Sequence, residues 1–229
     1  LDAVAVVPGV KRVRFTSPHP QDVDDQMLLV MRDHVNLCKS IHLPLQAGSD
    51  RILKRMNRTY TRNEYLMLVD RIRNILPDCG LTTDIIVGFP GETQKDFEKT
   101  LAVMEEVKFD SAFTFKYSPR PGTKASEYEV VVPEEEKQVR LDELLVLQKC
   151  HTLFRNSQEV GKTVDVLVEK ESKKSSEQWA GRTDNNKWVV FSKENAEIGE
   201  IVKVTIKDAK GITLFGELMK NQENADAIA

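Results

Sequence analysis

The 229 residues are 40% hydrophobic and 30% charged, enough for one large domain or for a medium domain followed by a small one. The strongest apolar runs, around Ile85 and Val130, fall far short of the roughly 20 residues needed to cross a bilayer, which excludes a helical membrane span. A net charge of −3 argues against a surface that grips nucleic acid all over but leaves room for a local basic groove.

Cys38, Cys79 and Cys150 are an odd number at wide spacings; they exclude a disulfide framework, form no local metal motif, and point to a reduced, cytoplasmic setting. The chain opens Leu-Asp-Ala-Val-Ala-Val-Val, without methionine or signal-peptide features, and reads as a fragment.

The first part alternates short β-rich runs with amphipathic helices, the pattern of a parallel sheet in an α/β fold. Residues 13–15 form the first candidate strand. The loop Thr16-Ser17-Pro18-His19-Pro20 follows, stiffened by two prolines. Asp22 is placed to open a helix bearing Leu28, Met31 and Val35. A second strand over residues 41–45 leads into Gln46-Ala47-Gly48-Ser49-Asp50, and Met56-Asn57-Arg58 comes soon after. Thr61 and Glu64 make a capping box, after which Tyr65, Leu68, Val69, Ile72 and Leu76 recur at helical spacing up to Pro77. A third strand over residues 85–89 precedes a helix capped by Thr93 that carries Phe97, Leu101 and Met104. The fourth, residues 112–117, ends in Tyr117-Ser118-Pro119-Arg120-Pro121-Gly122-Thr123. Their Val, Ile, Phe and Leu content predicts four strands buried on both faces. A long helix with a Glu-rich start after Pro133, bearing Val139, Leu144, Leu145 and Leu147, is expected to run to about Glu159.

Past Gly161 the period changes to alternation: Val164, Val166 and Val168, then Trp188 and Val190, then Val202, Val204 and Ile206. Polar turns separate these runs, which predicts a small antiparallel barrel. The expected division is therefore residues 1–160, residues 161–219, and a disordered tail over residues 220–229.

In a β/α barrel the working side chains sit after the C-terminal ends of the strands. Gln46 can hydrogen-bond a ribose hydroxyl through its amide, and Arg58 can hold a carboxylate bidentately. His42, within a strand, reads either as a satisfied core histidine or as a ligand. Asp84 lies inside an otherwise apolar strand and needs a partner there. Gly88 and Gly91 let backbone approach a flat ligand, and the amides opening the next helix can take an anion. The loops of residues 16–20 and 117–123 read either as rigid corners or as contacts to phosphate.

These strings in order, from Arg12-Val13-Arg14-Phe15 through residues 42–49, 56–61 and 83–93 to 117–123, resemble the methylthiotransferase family of radical-SAM enzymes. The resemblance is nearest to its tRNA-modifying, MiaB-type branch. It implies the C-terminal part of a partial (β/α)6 radical-SAM barrel followed by a TRAM domain, a small all-β OB-like barrel, over residues 161–219. It also implies addition of a sulfur and a methyl group to C2 of an isopentenyladenosine beside the tRNA anticodon. The cofactors implied are S-adenosylmethionine and two [4Fe–4S] clusters.

By the same resemblance Gln46 and Asp84 hold the ribose hydroxyls, Arg58 the methionyl carboxylate, and Ile86, Gly88 and Tyr117 flank the adenine. The family's Cys-x-x-x-Cys-x-x-Cys loop is absent from this sequence, so the chain by itself is expected to be inactive. In the TRAM segment Lys162, Lys173, Lys174, Arg182 and Lys187 are candidate phosphate contacts, and Trp179 or Trp188 either stacks on a base or fills the barrel core. The expected partner is the tRNA anticodon stem-loop, bound by a monomer with no membrane association. Action on threonylcarbamoyladenosine or a ribosomal protein, or RNA binding alone, are the competing readings.

Overall fold

The computed structural model describes residues 1–16, 19–128 and 131–219; Ser17, Pro18 and the expected tail over residues 220–229 lie outside them. It divides into two compact units, Leu1–Arg155 and Asn156–Ala229.

In the first unit a short helix α1 (Asp2–Ala5) precedes α2 (Asp25–Asp33), strand β1 (Ser40–His42), helices α3 (Asp50–Arg55) and α4 (Arg62–Ile75), strand β2 (Gly80–Val87), helix α5 (Gln94–Val107), strand β3 (Ser111–Lys116) and the long helix α6 (Glu134–Ser157). The three strands form a parallel sheet in the order β1-β2-β3. The expected first strand, residues 13–15, is only an isolated bridge between Val13 and Leu37. The sheet among the described residues therefore has three strands, not four.

The expected capping box at Thr61 forms, and the expected cap at Thr93 proves to be a second box. Thr61 Oγ1 accepts the Glu64 amide at 3.2 Å while Glu64 accepts the Thr61 amide at 2.7 Å, and Thr93 pairs with Asp96 in the same way. Each box satisfies donors that a helix start would otherwise leave orphaned. Asp24 rather than Asp22 caps α2, accepting the Met27 amide at 2.7 Å. Helix α2 ends before Val35, which is 95% exposed. In α6, Leu144 is buried, but Val139 and Leu145 face solvent.

Leu81, Thr83, Ile85 and Val87 of β2 are buried while Thr82, Asp84 and Ile86 are only partly so. The strands were expected to be buried on both faces; instead one face packs on the hydrophobic core and the other is open. On the open side Asp84 is in register with Phe113, and Ile86 with Phe115.

The second unit holds β4 (Thr163–Ser172), β5 (Ser175–Arg182), β6 (Trp188–Ser192), β7 (Ile201–Lys210) and β8 (Thr213–Leu218), closed as a barrel in the order β4-β5-β6-β8-β7. Val166, Val168, Val189, Phe191, Val204, Ile206 and Leu214 fill it, as inward positions of a small barrel should. All pairs are antiparallel except β6 with β8, which is parallel. The predicted small barrel is present, with that one departure from an antiparallel pattern.

Candidate functional site

The exit of β1 is pinned before it reaches Gln46. Tyr65 donates to the Leu43 carbonyl at 2.7 Å, and Tyr60 donates to the carbonyls of Pro44 at 2.9 Å and Leu45 at 3.1 Å. Burial pushes the Tyr60 phenol up to about 12, so it stays a donor at any physiological pH. Gln46 then adopts φ 69, a left-handed conformation costing a non-glycine residue on the order of 1 kcal/mol. Two backbone bonds to β2 hold it there. Its amide donates to the Asp84 carbonyl at 2.8 Å and its carbonyl accepts the Ile86 amide at 2.9 Å. Two residues on, a Cβ at Gly48 would run into the backbone of Lys99 and Thr100, so only glycine lets this loop lie on α5.

Gln46, Arg58 and Ile86 are thereby brought together around a cavity of about 550 Å³, lined also by Arg55, Phe89 and Tyr128. Arg58 follows Asn57, whose φ of 57 is a left-handed turn that asparagine tolerates. The buried Nε of Arg58 has no hydrogen-bond partner among the described residues. A buried guanidinium nitrogen without a partner needs an acceptor, and a carboxylate fits its fork geometry. The residues present thus suit the carboxylate and hydroxyls of an amino-acid nucleoside such as S-adenosylmethionine.

Asp84, Gly88 and Tyr117 do not line this cavity, although Gly88 and Tyr117 sit just beyond the ends of β2 and β3. Asp84 was expected to be buried; it lies on the open sheet face, with His42 Nε2 3.3 Å from its carboxylate. His42 also contacts Thr82 Oγ1 at 2.9 Å, so it is satisfied without belonging to the core. The Tyr117 ring meets Phe89 edge-on at 5.0 Å, and its buried hydroxyl has no partner among the described residues.

Sequence reasoning passed over the supports of these two residues. Gly88, at φ 71, lies beneath the Lys137 side chain, where any Cβ would collide with it. The Gly88 amide donates to Glu92 at 2.6 Å, and Arg140 donates to the same carboxylate oxygen at 2.7 Å. The Arg140 and Glu92 side chains are only 2% and 1% exposed. Burial pushes the Glu92 carboxyl up, opposed by the Gly88 amide and the Arg140 guanidinium. Lys137 Nζ donates to the Tyr117 carbonyl at 3.3 Å. Side chains of α6 therefore brace both strand ends. The available signal was Glu92 four residues after Gly88.

On the barrel, a second cavity of about 420 Å³ is lined by Trp188, Phe215, Lys170, Lys173 and Lys174 among others. Lys170 Nζ lies 4.4 Å and the Arg182 guanidinium 5.1 Å from the Trp188 ring centre, distances at which cations bind a ring face. Arg182 also pairs with Glu169 at 2.9 Å, and Lys162 with Glu159 at 3.3 Å. Neither tryptophan belongs to the fully buried barrel core. Trp179 packs partly against it and donates its indole N–H to the Ala196 carbonyl at 2.8 Å. Lys187 is a correction to the expected phosphate contacts: it is 7% exposed and its ammonium donates to Asn156 Oδ1 at 3.0 Å. A buried ammonium held by protein oxygen does not reach an external phosphate.

Residues 2–104 match the Radical SAM superfamily model, and residues 157–219 match the TRAM domain model. A protein of Porphyromonas gingivalis named tRNA-2-methylthio-N(6)-dimethylallyladenosine synthase is 49% identical over 221 residues, 96% of this chain and 48% of its own length. Proteins of the same name from Christiangramia forsetii and Azobacteroides pseudotrichonymphae are 47% and 50% identical, over 98% and 95% of this chain and 47% and 49% of theirs. The chain is a relative of the radical-SAM methylthiotransferases. The resemblance read from the motifs is borne out, with the parallel α/β sheet and the β-rich TRAM unit that it implies.

This radical-SAM relative spans about half the length of the curated proteins it matches. The match to the Radical SAM model implies S-adenosylmethionine and iron–sulfur chemistry, but the thiols here do not fit a cluster. Cys38 and Cys79 are buried and Cys150 is exposed, and among the described residues no group of three or more His, Cys, Asp or Glu side chains is placed to hold a metal ion. No helix among the described residues is long and apolar enough to cross a membrane.

Proposed function

We propose that this chain supplies the ribose- and carboxylate-holding part of the S-adenosylmethionine pocket, and the RNA-binding domain, of a tRNA-2-methylthio-N6-dimethylallyladenosine synthase. Within the cavity Gln46 holds a ribose hydroxyl, Arg58 takes the methionyl carboxylate and Ile86 meets the adenine, while Asp84 from the open sheet face and Gly88 and Tyr117 from the strand ends, outside the cavity lining, complete the ribose and adenine contacts. S-adenosylmethionine bound there, with two [4Fe–4S] clusters held by other residues, would supply the radical and the methyl group. This chain's part is to bind, orient and exclude water. The barrel, over residues 161–219, engages the anticodon stem-loop of tRNA through Lys162, Lys173, Lys174 and Arg182, with Trp188 stacking on a base. The protein works as a cytoplasmic monomer, the radical-SAM part covering residues 1–160.

The observation that carries this reading is the unpaired, buried Arg58 Nε beside Gln46 in the cavity at the sheet's C-terminal end. Equilibrium dialysis with labelled S-adenosylmethionine tests it. Arg58→Met is expected to weaken binding about tenfold or more, since a charge-assisted hydrogen bond contributes about 1.5–3 kcal/mol. Equal affinity in the two proteins would remove Arg58 from the site and the cavity from the function.

A further inference from the structure

The open face of the parallel sheet carries two large apolar side chains that neither the core nor the cofactor reading uses. Phe113 is 57% and Phe115 52% exposed, on a strand whose neighbour is otherwise well packed. They stand in register beside Asp84 and Ile86, which the proposed function assigns to S-adenosylmethionine. The Phe113 ring meets the His42 ring edge-on, centroids 5.8 Å apart, and His42 in turn contacts Asp84 and Thr82.

A face destined to be covered by more sheet or helix should be mostly Val, Ile and Leu. This one combines an imidazole, a hydroxyl and a carboxylate with two phenyl rings. A burying partner must therefore satisfy polar edges and also cover aromatic surface. A purine nucleoside bearing a branched five-carbon substituent has that composition: heteroatoms on the base edge and an apolar tail of the size that phenyl rings cover.

We infer that Phe113 and Phe115 form the receptor for the N6-dimethylallyl group of the substrate adenosine and set the preference for the prenylated nucleoside. This rests on the proposed function and adds the specificity-determining residues to it. The rings place the apolar tail on the side of the sheet that carries Asp84, so that a bulky polar substituent at the same nitrogen would lose the aromatic contact and strand its own polar atoms.

The test is binding of the 229-residue chain to two synthetic anticodon stem-loops, identical except that one carries N6-dimethylallyladenosine and the other adenosine. The unaltered chain should prefer the prenylated RNA. Phe113→Ala and Phe115→Ala should each reduce that preference about tenfold, read as the ratio of the two affinities in variants whose circular dichroism shows them folded. Phe115→Leu, which keeps apolar bulk, should retain most of it. Equal binding of both RNAs by the unaltered chain, or an unchanged preference in the alanine variants, would overturn the assignment of this face alone. Failure of the unaltered chain to bind either RNA would overturn the proposed function together with it.

Discussion

The Asp96 carboxylate accepts from the Ser49 hydroxyl at 2.5 Å, from the Thr93 hydroxyl at 2.5 Å and amide at 3.0 Å, and from Arg51. It ties the loop after Gln46 to the start of α5. Burial opposes its ionisation, but the hydrogen bonds from Arg51, Ser49 and Thr93 outweigh that and hold it well below the usual carboxylate range. A depressed folded-state pKa stabilises the fold above the unfolded value, about 3.9, and that stability is lost as pH falls through the folded value. The stability difference between the unaltered chain and Asp96→Asn, read from urea midpoints, should therefore be on the order of 2 kcal/mol and flat at neutral pH, and should shrink below about pH 4. A difference independent of pH would show that the Asp96 charge contributes nothing.

Among the elements, the β4–β5 hairpin carries Lys173 and Lys174 at its turn, beside the groove lined by Trp188 and Phe215. If these lysines meet phosphates, replacing both with alanine should weaken tRNA binding and flatten the plot of log affinity against log salt by one to two units, measured between about 50 and 200 mM salt. An unchanged slope would exclude them as phosphate contacts. The Thr61–Glu64 capping box and the Thr93 cap were legible in the sequence because each is a contact within three residues, although the reciprocal bond from Asp96 was not read. The open sheet face was not, because an apolar run does not say what covers each side of a strand. Nor was the brace behind Gly88, since Glu92 and Arg140 meet across 48 residues of chain. Lys187 was misread because a loop lysine before a strand looks like a solvated charge until Asn156 is placed beside it. Gln46 was singled out from its place after a strand and Arg58 from following soon after it; that the two line one cavity, and the left-handed turn that presents Gln46, were not legible.

At the scale of the molecule, one unit offers a parallel sheet with a cavity lined by Gln46 and Arg58 at its C-terminal end and the other a closed barrel with a cationic, aromatic groove. The relatives that it matches are about twice as long, and no thiol set for iron–sulfur ligation lies among the described residues. The claim that this chain performs the cofactor- and RNA-holding half of a methylthiolation is tested most directly by exchange. The 221 matched residues of the Porphyromonas gingivalis relative, 49% identical, are replaced by those of this chain, and the reconstituted hybrid is given tRNA carrying N6-dimethylallyladenosine. Mass spectrometry of the digested RNA should show 2-methylthio-N6-dimethylallyladenosine, and Arg58→Met in the hybrid should abolish or strongly reduce it. A folded hybrid with intact clusters that leaves the nucleoside unmodified would contradict the claim.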